Sequence, residues 1–162
     1  MVATTNTFIN TSVGAVETTL QEFKKLSTDE QLAALWFIYL ETGKSITPAA
    51  PGSARLQLAQ GLMDQVKAMS HQEQLQFMRN LVEKVNTPAT RSYGILSPNT
   101  KLAFWYRLAQ WMEDGTVIPM PSGYQLSKTG KQVIGKIQNL EFNQQITILR
   151  RCVVDMGVDA FA

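Results

Sequence analysis

The amino-acid sequence predicts an all-α domain, and three observations carry that prediction. Serine caps followed by Glu or Pro punctuate the chain. The apolar residues between them recur with helical spacing, and strand signals are almost absent. The segment Val117-Ile-Pro-Met-Pro121 reads as extended, but its prolines exclude it from the interior of a sheet. Seven or so helices result, in a chain of 162 residues that is the size of one domain.

The elements follow in order. Residues 1–14 open Thr- and Asn-rich and are read as a flexible segment, ahead of a first helix near Ala15–Leu26 and a single domain over 15–162. Ser27-Thr-Asp-Glu30 has capping-box spacing, and Gly43 closes the helix it opens. Within that helix Leu32, Leu35, Trp36, Tyr39 and Leu40 fall at i, i+3, i+4, i+7 and i+8, on one face. Thr47-Pro-Ala-Ala-Pro-Gly52 is a turn-rich connector to a helix near Ala54–Met69. Ser70-His-Gln-Glu73 repeats the capping box ahead of Leu75, Met78, Leu81, Val82 and Val85. Ser97-Pro98 places a cap before proline at the first helical position, and Gly115 ends that helix. Two more helices are expected near Lys128–Gln138 and Asn143–Met156.

Aromatic residues are concentrated in two of these helices. Trp36, Phe37 and Tyr39, with Phe104, Trp105, Tyr106 and Trp111, include all three tryptophans of the chain. The helix Pro98–Asp114 carries two apolar stripes, one of Leu102, Trp105, Tyr106, Ala109 and Met112, the other of Phe104, Leu108 and Trp111. One stripe suffices for a core. The second must meet another layer of protein, a partner or a bound apolar molecule, and of these the helical spacing alone favours ordinary core. The last helix is also two-sided, with a core stripe of Ile146, Leu149, Val153 and Met156 beside a mixed one of Thr147, Arg150, Arg151 and Val154.

Composition excludes several functions. Charged residues make up 17% and the net charge is +2, with both signs interleaved and no basic run, which speaks against nucleic acid. One cysteine, Cys152, permits no internal disulfide and fits a reducing compartment. One Cys and one His cannot make a zinc site. Cys152 sits among Ile148, Leu149, Val153 and Val154 and reads as a small buried hydrophobe; His71 reads as an exposed helix residue. With no phosphate loop, paired carboxylates or nucleophile elbow, an enzyme has no candidate residues. The longest apolar run, Leu32 to Leu40, has nine residues against the roughly 20 of a membrane span, and no secretory signal opens the chain. A soluble cytoplasmic protein is expected.

The order of certain fragments adds a resemblance. Trp36-Phe-Ile-Tyr-Leu-Glu41 is followed by Gly43-Lys44, Ala49-Ala-Pro-Gly52 and Ser97-Pro-Asn-Thr-Lys-Leu-Ala-Phe-Trp-Tyr106. Pro119-Met-Pro-Ser-Gly-Tyr124, Gln144-Gln-Ile-Thr-Ile-Leu-Arg150 and Val153-Val-Asp-Met-Gly157 complete the series. Together they cover the chain from about Ala15 onward, and the sequence resembles the amino-terminal domain of the orange carotenoid protein. In particular it looks like the free-standing helical carotenoid proteins, cyanobacterial paralogues of that domain.

That resemblance implies two interleaved four-helix bundles of discontinuous segments with a ligand tunnel between them. The ligand would be a ketocarotenoid of the canthaxanthin, echinenone or 3′-hydroxyechinenone type. By position, its pocket would take Leu32, Leu35, Trp36 and Tyr39 from one helix and Met78 and Leu81 from the next wall. Leu102, Trp105, Tyr106 and Met112 would follow, with Pro119, Met120, Pro121 and Tyr124 flanking one ring. Ile146, Thr147, Arg150 and Val153 would close the other side. A rigid apolar rod of roughly 30 Å, the length of a 20-residue helix, must lie along a helix interface.

The resemblance also implies photoprotection, by quenching singlet oxygen or excess excitation, or else carotenoid carriage and storage. Arg150 matches an arginine that serves docking to the phycobilisome, which would place the protein in the cytoplasm or at the thylakoid surface. A separate homologue of the carboxy-terminal domain could donate the pigment. The sequence ends at Ala162 without that switching domain, so constitutive activity without a blue-light photocycle is expected. Arg79 stands where the full-length relatives carry a cysteine, which puts a photoreceptor-like partner surface in question. The competing class is a pigment-free helical interaction module.

Overall fold

Every regular element among the described residues is helical. The structure is a computed structural model that describes residues 2–42 and 56–161, with side chains for 14–41 and 57–161. Its helices are α1 (Val2–Lys25), α2 (Thr28–Thr42), a 3-10 turn (Leu56–Ala59), α3 (Gln60–Ala68), α4 (His71–Glu83), α5 (Pro88–Gly94), α6 (Pro98–Asp114), α7 (Lys128–Gln138) and α8 (Phe142–Val154). Gly43, the 47–52 connector and the Ala49–Gly52 fragment lie outside the described residues.

Local chemistry accounts for most boundaries. Ser70 accepts from the Glu73 amide while the Glu73 carboxylate accepts from the Ser70 amide, so the expected capping box opens α4 in full. Ser97 caps α6 with Pro98 behind it. At α2 only half of the expected box forms. Ser27 accepts from the Glu30 amide at 3.3 Å, but the Glu30 carboxylate turns to the Ser127 amide at 2.7 Å. It thus ties the segment before α7 to the start of α2.

Three elements differ from expectation. Helix α1 begins at Val2 rather than near Ala15, and no glycine or proline precedes Gly14 to interrupt it. Of the helix expected near Ala54–Met69, Ala54 and Arg55 lie outside the described residues, and Leu56–Ala59 form a 3-10 turn leading into α3. Ala59 at that junction offers no side-chain cap, and a tighter winding meets the exposed amides instead. Helix α5 was not anticipated, although Thr87 caps it and Pro88 occupies its first turn. Helix α4 also ends at Glu83, leaving Val85 outside the helix and 44% exposed.

Two groups of four helices result. Helices α1, α2, α7 and α8 pack together from the two ends of the described chain, and α3 to α6 form the segment between them. The groups meet where α6 lies on α8 and where α2 lies on α4 and α6. Phe23, Ile134, Ile137, Ile148 and Val153 are buried on one side of that seam, with Phe77, Leu81, Tyr93, Phe104 and Leu108 on the other. The expected pair of bundles is the architecture observed.

Candidate functional site

The seam between the bundles is not closed along its whole length. A cavity of about 200 Å³ opens between α2, α4, α6, α8 and the 118–124 segment, with almost entirely apolar walls. Helix α2 contributes Leu32, Leu35, Trp36 and Tyr39. Helix α6 contributes Leu102, Trp105, Tyr106, Ala109 and Met112, the whole of its first predicted stripe. Its second stripe turns mainly to the core, although Leu108 also touches the cavity: Phe104 is sealed and meets Phe77, Tyr93 and Trp105 edge-on at 6.2, 5.4 and 6.3 Å between centroids. The surplus of rings thus faces an open space.

The aromatic walls are held in place by hydrogen bonds behind them. Trp105 Nε1–H donates to Tyr93 Oη at 2.9 Å, and Tyr93 Oη–H donates to the Val153 carbonyl at 2.6 Å. Burial pushes the Tyr93 phenol far above its usual range, so it remains a neutral donor. Opposite, Trp36, Tyr39 and Tyr106 form a chain of ring contacts at 5.7 and 5.5 Å. Tyr39 Oη–H donates to the Glu113 carboxylate at 2.7 Å. Desolvation, reinforced by that carboxylate, raises the Tyr39 phenol well above its ordinary value.

Pro119, Met120, Pro121 and Tyr124 cross one end of the cavity. The Tyr124 amide donates to the Pro121 carbonyl, closing a turn in which Gly123 takes φ +77°. Gln74, 1% exposed, anchors the approach to this turn. Its Oε1 accepts from the Ile118 amide at 2.9 Å, and its Nε2 donates to the Val66 and Thr116 carbonyls at 3.0 and 3.1 Å. The rim here carries the cavity's only ion pair among the described residues. Arg79 Nε and Nη2 donate to the two Asp29 oxygens at 2.8 and 3.0 Å. The bound guanidinium holds the Asp29 carboxyl below its ordinary value.

Fourteen of the eighteen residues expected at the pocket line this cavity: those named from α2, Met78, Leu102, Trp105, Tyr106, Met112, the four of the 119–124 segment, and Val153. Four do not. Leu81 is sealed in the core behind Met78. Arg150 follows Leu149 by one residue and is therefore turned about 100° away around α8, where its Nη1 donates to Asn99 at 2.8 Å. Thr147 is exposed and donates to the Asn143 carbonyl, and half-buried Ile146 lies one turn beyond Leu149.

The structure adds Leu75, Leu108, Ile118 and Leu149, together with the small or rim residues Asp29, Ala33, Ile38, Arg79 and Ala109. Leu149 precedes Val153, and Leu75 precedes Met78, by one turn on the same face, a signal visible in the spacing. Nothing in the sequence pattern brings Asp29 to Arg79. Cys152 is buried and its thiol is pushed up to about 12 by that burial. His71 is exposed, with Nε2 3.2 Å from the Gly115 carbonyl.

Such walls can hold a long, stiff, apolar ligand against flat ring faces, with thioethers filling irregular gaps. No helix among the described residues is long and apolar enough to cross a membrane. The family model described as orange carotenoid protein, N-terminal, matches residues 10–159. An orange carotenoid-binding domain-containing protein of Nostoc sp. is 58% identical over 148 residues, 91% of this chain and 86% of that protein. The orange carotenoid-binding protein of Synechocystis sp. is 48% identical over 154 residues, 94% of this chain but 49% of its own length. The chain thus spans about half of that longer relative.

Among solved structures, the red carotenoid protein of Anabaena (Nostoc) sp. binding canthaxanthin is similar with a TM-score of 0.78 and 41% identity, over 89% of this chain and 99% of that one. The orange carotenoid protein of the same organism, also binding canthaxanthin, gives 0.83 and 49%, over 90% of this chain and 47% of its own. On fold, sequence and extent of match together, this chain belongs to the orange carotenoid protein amino-terminal domain family.

Proposed function

We propose that this chain holds one ketocarotenoid along the seam between its two bundles and acts as a photoprotective pigment protein. The observation that carries the reading is the cavity itself, an apolar trough with Trp36, Tyr39, Trp105 and Tyr106 on its walls. Asp29 and Tyr39 lie about 15 Å apart along α2 at 1.5 Å per residue, so the described trough spans several helical turns. Its hydrocarbon and thioether lining suits a polyene, and solved relatives named as binding canthaxanthin share the fold.

When bound, the pigment supplies colour and the quenching of singlet oxygen or excess excitation. The protein's residues bury it, flatten it against ring faces and exclude water. Trp105 is fixed for this by its bond to Tyr93, and Tyr39 by its bond to Glu113. This activity is constitutive, non-enzymatic and independent of a light-switching domain. The pigment can arrive from a separate homologue of the carboxy-terminal domain of longer relatives.

One observation favours a second role beside it. Arg150 stands outside the cavity on the outer side of α8, bonded to Asn99, where it can contact a partner such as the phycobilisome rather than the pigment.

Expression in a host that makes ketocarotenoids, followed by a visible spectrum of the purified chain, tests the reading. A coloured protein that outperforms the pigment-free form in a singlet-oxygen trap is expected. A folded but colourless product overturns it. For docking, coloured wild type should lower the fluorescence of isolated phycobilisomes more than Arg150→Ala does.

A further inference from the structure

The cavity is apolar along its length but polar at both rims, and the two rims differ in what they can offer. At the far end of α2, Tyr39 already spends its hydroxyl proton on Glu113 at 2.7 Å. Glu113 is itself an acceptor, so Tyr39 has no proton to give a ligand carbonyl there, and the neighbouring Tyr106 hydroxyl is a single neutral donor. At the near end, Arg79 reaches across from α4 to Asp29 at the start of α2. A guanidinium carries five N–H groups. The two bonds to Asp29 engage Nε and Nη2, and Nη1 makes no hydrogen bond among the described residues. The paired carboxylate fixes the plane of that donor, while Arg79 remains 37% exposed and lines the cavity.

Given the carotenoid reading above, on which this rests, we infer that Arg79, oriented by Asp29, selects ligands whose terminal ring carries an oxygen and seats that ring at the Pro121–Tyr124 end of the cavity. A ring carbonyl only accepts, and Arg79 only donates. A hydrocarbon ring at the same rim would shed water from an ion pair and return no hydrogen bond. Hydrophobic walls alone discriminate weakly between a methylene and a carbonyl. A polar group that must be satisfied discriminates strongly. Because the rim is partly solvated, the preference is modest, roughly tenfold.

The test offers pigment-free protein an equimolar mixture of canthaxanthin, a diketone, and β-carotene, its counterpart without ring oxygens. The bound pigments are then extracted and quantified. Wild type should be enriched in canthaxanthin roughly tenfold. Arg79→Met keeps an aliphatic stem of similar reach and removes the donors, so its ratio should fall to near parity. Arg79→Lys, which keeps a charge and a donor, should fall between. Exposed pairs contribute little to stability, so both variants should fold, and Asp29→Asn, which loosens the guanidinium, provides an independent arm with a reduced ratio. Equal uptake of the two pigments by wild type overturns this inference and leaves the carotenoid reading intact. So does a full preference retained in Arg79→Met. Uptake of neither pigment by folded wild type overturns both.

Discussion

Trp105 is hydrogen-bonded to the backbone of α8 through Tyr93. Its indole N–H donates to the Tyr93 oxygen, which donates in turn to the Val153 carbonyl, and Trp105 and Val153 both line the cavity. Tyr93→Phe removes one oxygen and leaves the buried Trp105 indole N–H without its partner, the Val153 carbonyl keeping its bond from the Met156 amide, while the ring still packs on Phe104. With one orphaned group, the variant should lose about 1–3 kcal/mol in urea unfolding. An unchanged midpoint would remove Tyr93 from this role. Gly157 makes the arrangement possible, since it takes φ +77° and a Cβ there would lie 2.6 Å from the Tyr93 ring. At this scale the sequence was legible in part. Helical spacing identified the ring faces of α2 and α6, because a stripe is a local property. The Trp105–Tyr93–Val153 relay and the Asp29–Arg79 pair join separate elements, and no local pattern encodes them.

Among the elements, the 116–124 segment has the least intrinsic order and depends most on its neighbours. Its prolines withhold amide donors, so fewer backbone groups are available to fix it. Gln74 supplies two bonds to it from inside α4 and a third to the Val66 carbonyl of α3, and Glu30 holds the Ser127 end. Gln74→Leu is nearly isosteric but leaves the Ile118 amide and the Thr116 carbonyl unpaired, while the Val66 carbonyl keeps its bond from the Met69 amide. It should cost roughly 2–5 kcal/mol and speed hydrogen exchange at the Ile118 amide far more than in the middle of α6. Uniform protection across both would show that other contacts hold the segment. The same scale explains which helices could be read. Helices α4, α6 and α7 announce themselves by a serine cap and an apolar stripe. Helix α5, at seven residues, is too short for a periodicity to show, although Thr87-Pro88 repeats the signal of Ser97-Pro98. The capping box at Ser27 misled in one respect: it identified the helix start but not the long-range use of Glu30.

The whole molecule is closed by charge as well as by packing. Lys24–Asp155 and Arg151–Glu17 tie α1 to the end of α8, Lys136–Glu22 ties it to α7, and Arg79–Asp29 joins α2 to α4 across the seam. Hydrogen bonds from their cationic partners are the largest cause holding the Glu17, Asp29 and Asp155 carboxyls below their ordinary values of 4.5, 3.8 and 3.8. A carboxyl with a depressed value in the folded state binds fewer protons than it does unfolded. Its contribution is therefore complete above the ordinary value and is lost as pH falls through the folded one. The melting temperature should hold through neutral pH and decline as acid takes the solution below about pH 4.5. High salt should produce a smaller decline at neutral pH, because these pairs are largely exposed. The double variant Glu17→Gln/Asp155→Asn removes two of the three titrating partners, both at the α1–α8 junction. It should start from a slightly lower melting temperature and show a shallower acid limb. An acid limb as steep as that of wild type would assign the loss to other carboxyls and leave the docking of α1 to its apolar face, with Phe23, Leu20 and Val16 buried against the core.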